Sequence, residues 1–216
     1  MDWWHPLAWD WATLAKSALG AGFGTAAMTG ILSVYRDTRH RKSQAAYMAM
    51  RLAVTLESYA YACSEFIAEN ANTQPPPDRE FPDWNTSLPE LAAYPDDLDG
   101  WRAIDRKLAG RCLNFRNRIH GSQGLISATW EYAMEDLEDT LSEQAAARGL
   151  EAWELASALR SKHGVEQAEP VSDFVEWLQT ILAKAKAAKE DRSDRQHEFL
   201  QELARETGAE HSSKPD

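Results

Sequence analysis

From Ser17 to Tyr35 the chain runs nineteen residues, SALGAGFGTAAMTGILSVY, without a charge. As a helix rising about 1.5 Å per residue, this segment is roughly 28 Å long, close to the hydrocarbon thickness of a bilayer. A helix on the surface of a water-soluble core carries a polar stripe, and this one offers only glycine, serine and threonine. A cleaved signal peptide fits no better, because its positive charge precedes the apolar region and here the charge follows it. The expectation is a transmembrane helix over residues 17–35.

Its flanks support that expectation and give it a direction. Trp3, Trp4, Trp9 and Trp11 suit the headgroup level, and Lys16 can snorkel to the same interface. Arg36, Arg39, Arg41 and Lys42 follow the segment at once, whereas the first sixteen residues set Lys16 against Asp2 and Asp10. The positive-inside rule then leaves residues 1–16 outside a bacterial inner membrane and the C-terminal bulk in the cytoplasm. Within the segment Gly22, Ala26 and Gly30 repeat every four residues, with Gly20 and Gly24 in a second row. Rows of small residues let helices pack closely in lipid, which points to a homo-oligomer; the plainer alternative is that glycine is simply common in spanning helices.

The rest of the 216-residue chain has room for one domain of ordinary size. A formal charge of -11 and a pI near 5.0 exclude a protein that coats nucleic acid over its whole surface. An anionic partner, such as a nucleotide or oligonucleotide, would need a local basic patch. Cys63 and Cys112 stand far apart in apolar surroundings and read as reduced core thiols.

Helical periodicity dominates residues 36–207, and no strand-like alternation or repeat interrupts it. Met50, Ala53, Val54, Leu56, Tyr59, Ala60, Cys63, Phe66 and Ile67 set the apolar face of a helix over 43–70. Nothing between Tyr35 and Ser43 breaks a helix, so the membrane segment is expected to continue into it. Residues 71–100 hold Pro75, Pro76, Pro77, Pro82, Pro89 and Pro95, and read as a long connection packed by Phe81, Trp84, Leu88, Leu91 and Tyr94, with at most a short turn near Glu90 to Ala93. Periodicity resumes from Trp101 to about Leu141 through Ile104, Leu108, Leu113, Leu125 and Trp130, with Gly121 and Gly124 as the places for a bend. A further helix over Gly149 to Lys162 stops at Gly164, and the last runs from a Ser172 cap to about Thr207. Residues 208–216 read as a disordered tail. The fold class is therefore all-α: a transmembrane helix followed by an antiparallel bundle of four to five helices.

Motifs for chemistry are sparse. There is no HExxH, no phosphate-binding glycine loop, no GxSxG elbow and no cysteine cluster with metal spacing, so no catalytic residue, metal set or cofactor is assigned. His120 and Ser122 stand close in sequence but lack a carboxylate to orient the imidazole, and His163 reads as finishing a helix. Against the acidic background one stretch is basic: Arg102, Arg106, Lys107, Arg111, Arg116, Arg118 and His120, with Asp105 as its single acid. Arg102 aligns with Arg106, and Lys107 with Arg111 and Arg118, if one helix carries them all; Asn114 and Asn117 add donors for a phosphate-bearing ligand. The competing reading pairs these cations with Glu131 to Asp139 within the molecule.

The runs RLAVTLESYAYACSEFIAEN, LPELAAYPDDLDGW and GLEAWELASALR together resemble a group of bacterial proteins with one N-terminal membrane helix and a cytoplasmic helical domain. The likeness spans residues 15 to about 165 and rests on packing and loop positions. It implies a membrane-anchored bacterial protein and brings no site with it. By architecture the chain also looks like small effectors of antiviral systems, in which a sensing domain gates a self-associating membrane segment. The functional expectation is a homo-oligomeric, channel-like membrane effector, with a passive anchor or adaptor for a partner protein as the alternative.

Overall fold

The computed structural model describes the backbone of residues 11–170 and 172–212, and the side chains of 35–170, 172–192 and 195. Among these residues there are five α-helices and no strand: α1 (Trp11–Ala71), α2 (Leu98–Ala103), α3 (Arg106–Tyr132), α4 (Leu137–His163) and α5 (Phe174–Ser212). Among the described residues no helix is long and apolar enough to cross a membrane. The side chains of the expected span up to Val34, with Gly20, Gly22, Gly24, Ala26 and Gly30, lie outside the described set, as do those of Trp3, Trp4, Trp9 and Trp11.

Helix α4 is the hub because small residues line it. Ala145, Ala146, Gly149, Ala152 and Ala156 are buried along its length, and α1 buries small residues of its own, Ala45, Ala49, Ala53 and Ala60, with Ala60 against Gly149. With so little side chain between them the two backbones approach closely. A methyl group on Gly149 would lie 3.0 Å from Cys63 Cβ, 3.0 Å from a Leu178 methyl and 3.4 Å from the Ala60 carbonyl oxygen. Larger side chains fill the space on either side: Met48, Leu52, Leu56, Phe115, Ile126, Leu141, Leu155, Leu159 and Leu178 are wholly buried. Polar rungs give the direction of each neighbour. Glu57 of α1 meets Arg160 while Gly149 meets Ala60; Asp105, just before α3, meets His163 while Arg118 meets Glu151; and in α5 Leu178 meets Gly149 while Arg192 meets Asp136. Helices α1, α3 and α5 thus all run antiparallel to α4.

Several boundaries differ from those the sequence suggests. Gly121 and Gly124 do not split α3. The chain breaks instead at Ala133, leaves through a single 3-10 turn over Met134–Asp136, and enters α4 at Leu137. Residues 142–148 therefore belong to α4, where Ala145 and Ala146 are core. Upstream, α2 is separated from α3 by the extended Ile104, and Asp105 caps α3 by accepting from Lys107 N–H at 2.9 Å and Leu108 N–H at 3.1 Å. Asp173, not Ser172, holds the cap position of α5, its carbonyl accepting from Trp177 N–H. That helix continues through 208–212, expected as tail. Gly164 ends α4 in the left-handed conformation at φ 65°, as a helix-stopping glycine does. Met50 and Val54 of α1, and Leu113, Leu125 and Trp130 of α3, are exposed rather than buried.

The connection between α1 and α2 has no helical turn at Glu90 to Ala93. Two amide side chains hold it, standing in for a neighbouring strand. Asn70 donates to the Asn85 carbonyl and accepts from Asn85 N–H at 2.8 Å; Gln123 accepts from Leu88 N–H at 2.9 Å and donates to the Thr86 carbonyl. Leu88 and Leu91 are then buried, and Trp84 and Tyr94 pack against the core.

Candidate functional site

The break between α2 and α3 divides the basic stretch. Arg102 lies on α2, where it pairs with Asp99 at 3.5 Å in the open, so it does not align with Arg106 along one helix. On α3 the buried strip Leu108, Cys112, Phe115 and Ile126 separates the remaining cations into two flanks, with Arg106 between them on the outer face opposite the strip. One flank faces α4 and carries Lys107, Arg111 and Arg118. The other faces the connection and carries Arg116 and His120.

On the α4 flank Arg118 reaches across to Glu151 at 2.7 Å. Glu151 also receives Arg148, whose side chain is only 13% exposed, so one carboxylate bridges two guanidinium groups. The Arg148 Nε is buried without a hydrogen-bond partner among the described residues. The acidic run Glu131 to Asp139 does not supply these partners; its Asp136 turns to Arg192 of α5. Arg106, Lys107 and Arg111 are exposed and form no ion pair among the described residues. With Asn114 also exposed, they leave a cationic, hydrogen-bond-donating surface able to take a phosphate or carboxylate.

The other flank opens into a cleft of about 270 Å³ lined by Leu88, Glu90, Leu91, Arg116, Ile119 and His120. Arg116 is already engaged, donating to the Ala92 carbonyl at 2.8 Å with its guanidinium 4.9 Å from the centre of the Tyr94 ring. It braces the connection more than it awaits a ligand. His120 lines the cleft mouth whereas Ser122 is buried on the opposite side of the helix, and no hydrogen bond joins them. The two therefore do not form a nucleophile and base.

His163 does more than finish α4. Its Nε2 accepts from Asp105 N–H at 3.3 Å, tying the end of α4 to the start of α3, next to the cationic flank. Burial lowers its pKa, partly opposed by the Asp105 carboxylate. The backbone N–H groups of Leu108 and Lys107 hold the Asp105 carboxyl below its usual range. Cys63 and Cys112 are free and buried, and burial pushes both thiols up to about 12, which leaves them inert at neutral pH. Among the described residues no three His, Cys, Asp or Glu side chains gather as metal ligands.

Asn70, Gln123 and the contact of Glu151 with Arg118 carry no signal in the sequence, because their partners are distant along the chain; Arg148 stands three residues from Glu151, a spacing that pairs charges on one helix face. No protein-family model, curated protein or solved structure matches the chain. The chemistry of the site is therefore read from its own residues.

Proposed function

We propose that this chain is a homo-oligomeric, single-pass inner-membrane protein of channel-like effector type, whose helical domain senses an anionic ligand on the outer surface of α3. The observation that carries the reading is α1 itself. One 61-residue helix holds both the uncharged segment 17–35 and the packing face Met48 to Ile67 of the domain. A shift of α4 or α3 against that face is transmitted along a continuous helix, with no loop between to absorb it. Residues 1–16 lie outside and the domain in the cytoplasm, on the charge asymmetry about the segment. The ligand surface is Arg106, Lys107 and Arg111, cations that pair with no carboxylate among the described residues, and its class is phosphate-bearing: a nucleotide or a short oligonucleotide.

The test is native mass spectrometry of the full chain extracted in nanodiscs. A defined oligomer carrying a small anionic molecule supports the reading, and Lys107→Glu with Arg111→Glu then loses that molecule while keeping the oligomer. A monomer without ligand overturns it. The second reading, an anchor that holds a partner protein, is favoured by Leu125 and Tyr132, seven residues apart and exposed on one face of α3 towards its end. A stoichiometric co-purifying protein would establish it.

A further inference from the structure

Helix α1 has two apolar faces, and the domain covers one of them. Met48, Leu52, Leu56, Tyr59 and Cys63 are buried against the rest of the bundle. On the outward side stand Tyr47 (55% exposed), Met50 (40%) and Val54 (49%), whereas Tyr61, further along, packs edge-on against Phe174 of α5. A solvent-facing helix surface is ordinarily polar. The spacing of these three, three then four residues, is that of successive a, d and a positions of a heptad, the pattern by which one helix packs along another; the next d position, Glu57, turns inward to Arg160 and ends the stripe.

We propose that this stripe is a seam for a second copy of the same chain, the two α1 helices lying parallel and in register. The proposal rests on the oligomeric reading above and names the surface through which it acts. Three arguments select that occupant. Counting the same heptad upstream in the sequence reaches Ser33, Thr29, Ala26 and Gly22, so one row of small residues in the uncharged segment shares the register of the exposed stripe, while Gly20, Gly24 and Gly30 fall outside it. Copies that cross a membrane with one orientation present their helices in parallel, and like positions then meet in a self-complementary contact. The area agrees: three half-exposed side chains offer roughly 300 Å² a side, under half of the roughly 800 Å² that a stable interface uses. The stripe is too small to hold a dimer by itself and suits the continuation of a contact made within the segment. The count passes Arg36 and His40 at the boundary, where anionic headgroups offset the like charges.

The test is oxidative cross-linking of the full chain in nanodiscs. Val54→Cys places an exposed thiol on the stripe, and the native Cys63 and Cys112 are buried and do not compete. Leu113→Cys, exposed on α3, reports random collision. Cross-linking to the dimer mass at position 54, at least tenfold faster than at 113, is expected. Val54→Lys should weaken the oligomer tenfold or more in native mass spectra with the thermal midpoint unchanged. If the native chain is oligomeric but position 54 links no faster than 113, the seam is wrong and the oligomeric reading stands. The seam is equally wrong if position 54 is shielded from maleimide in a monomeric fraction, since the chain's own C-terminal residues then cover the stripe. A monomeric native chain removes both.

Discussion

Helices α3 and α4 are each 27 residues long and lie side by side, yet they carry opposite duties. Helix α4 is buried against neighbours on three sides, and its only glycine, Gly149, sits where a methyl group has no room. Helix α3 buries one strip, and its Gly110, Gly121 and Gly124 have nothing within 4 Å of an added methyl. Its other faces carry Arg106, Lys107 and Arg111, which pair with no carboxylate among the described residues. Packing thus constrains much of α4, with ten residues buried along it, whereas much of α3 is free of structural constraint. Stability resides mainly in α4, and the proposed ligand surface lies on α3.

The largest effect that would test this contrast is at Gly149. A β-branched side chain there must displace both Cys63 and Leu178 against close-packed backbone. Gly149→Val is expected to cost about 3 kcal/mol or more, read as a lowered urea midpoint of the domain. An unchanged midpoint would mean that α1 and α4 are not in close contact. Next comes Glu151, the carboxylate shared by Arg118 and Arg148 and itself 17% exposed. Glu151→Gln leaves Arg148 largely buried without a counter-charge and should cost about 2 kcal/mol. Arg118→Ala removes the more exposed cation, leaves the other pair intact, and should cost under about 1 kcal/mol. Equal losses for the two variants would overturn the assignment of Glu151 as the pivot.

Much of this organisation is legible in the sequence, and the part that is not has a common cause. The all-helical class, the packing role of Tyr59, Cys63 and Ile67, and the stop at Gly164 follow from signals within one or two turns of chain. The amide clamps of Asn70 and Gln123 join residues 15 and 35 positions apart and have no local signature. The α3–α4 boundary is hidden because Gly121, Gly124 and Gly149 look alike in one dimension, and only the neighbouring helices distinguish a surface glycine from one at a crossing. The apolar periodicity of Met50, Val54, Leu113 and Trp130 is real but does not say which apolar face the domain covers. At the candidate site the local excess of cations is visible, but their division into two flanks depends on the α2–α3 break and on Glu151.

A smaller effect concerns the junction at which the two helices meet. His163 must keep Nε2 unprotonated to accept from Asp105 N–H. Its pKa lies below the ordinary 6.5, so the folded chain binds fewer protons here than the unfolded chain. The stabilisation is complete above pH 6.5 and is lost as pH falls through the lowered value. The urea midpoint should therefore decline with acidification below 6.5 more steeply in the native chain than in His163→Gln. Matching slopes would show that the contact between α4 and the start of α3 does not titrate.

The smallest effect has the opposite sign, and it separates the two helices most cleanly. Gly121 and Gly124 lie within α3 with open space around them, so neither close approach nor an unusual backbone angle explains them. An alanine at either position restricts the unfolded chain and favours the helix by about 0.5–1 kcal/mol. Gly121→Ala and Gly124→Ala should each raise the urea midpoint slightly, while Gly149→Ala, the same chemical change on α4, should lower it. The pair of signs matters more than either magnitude, because propensity alone predicts a gain at all three positions. If a stabilised α3 also loses ligand binding on the Lys107 and Arg111 flank while its fold is intact, its glycines serve movement of that helix. If binding is kept, the flank works as a rigid surface and the glycines are a tolerated cost.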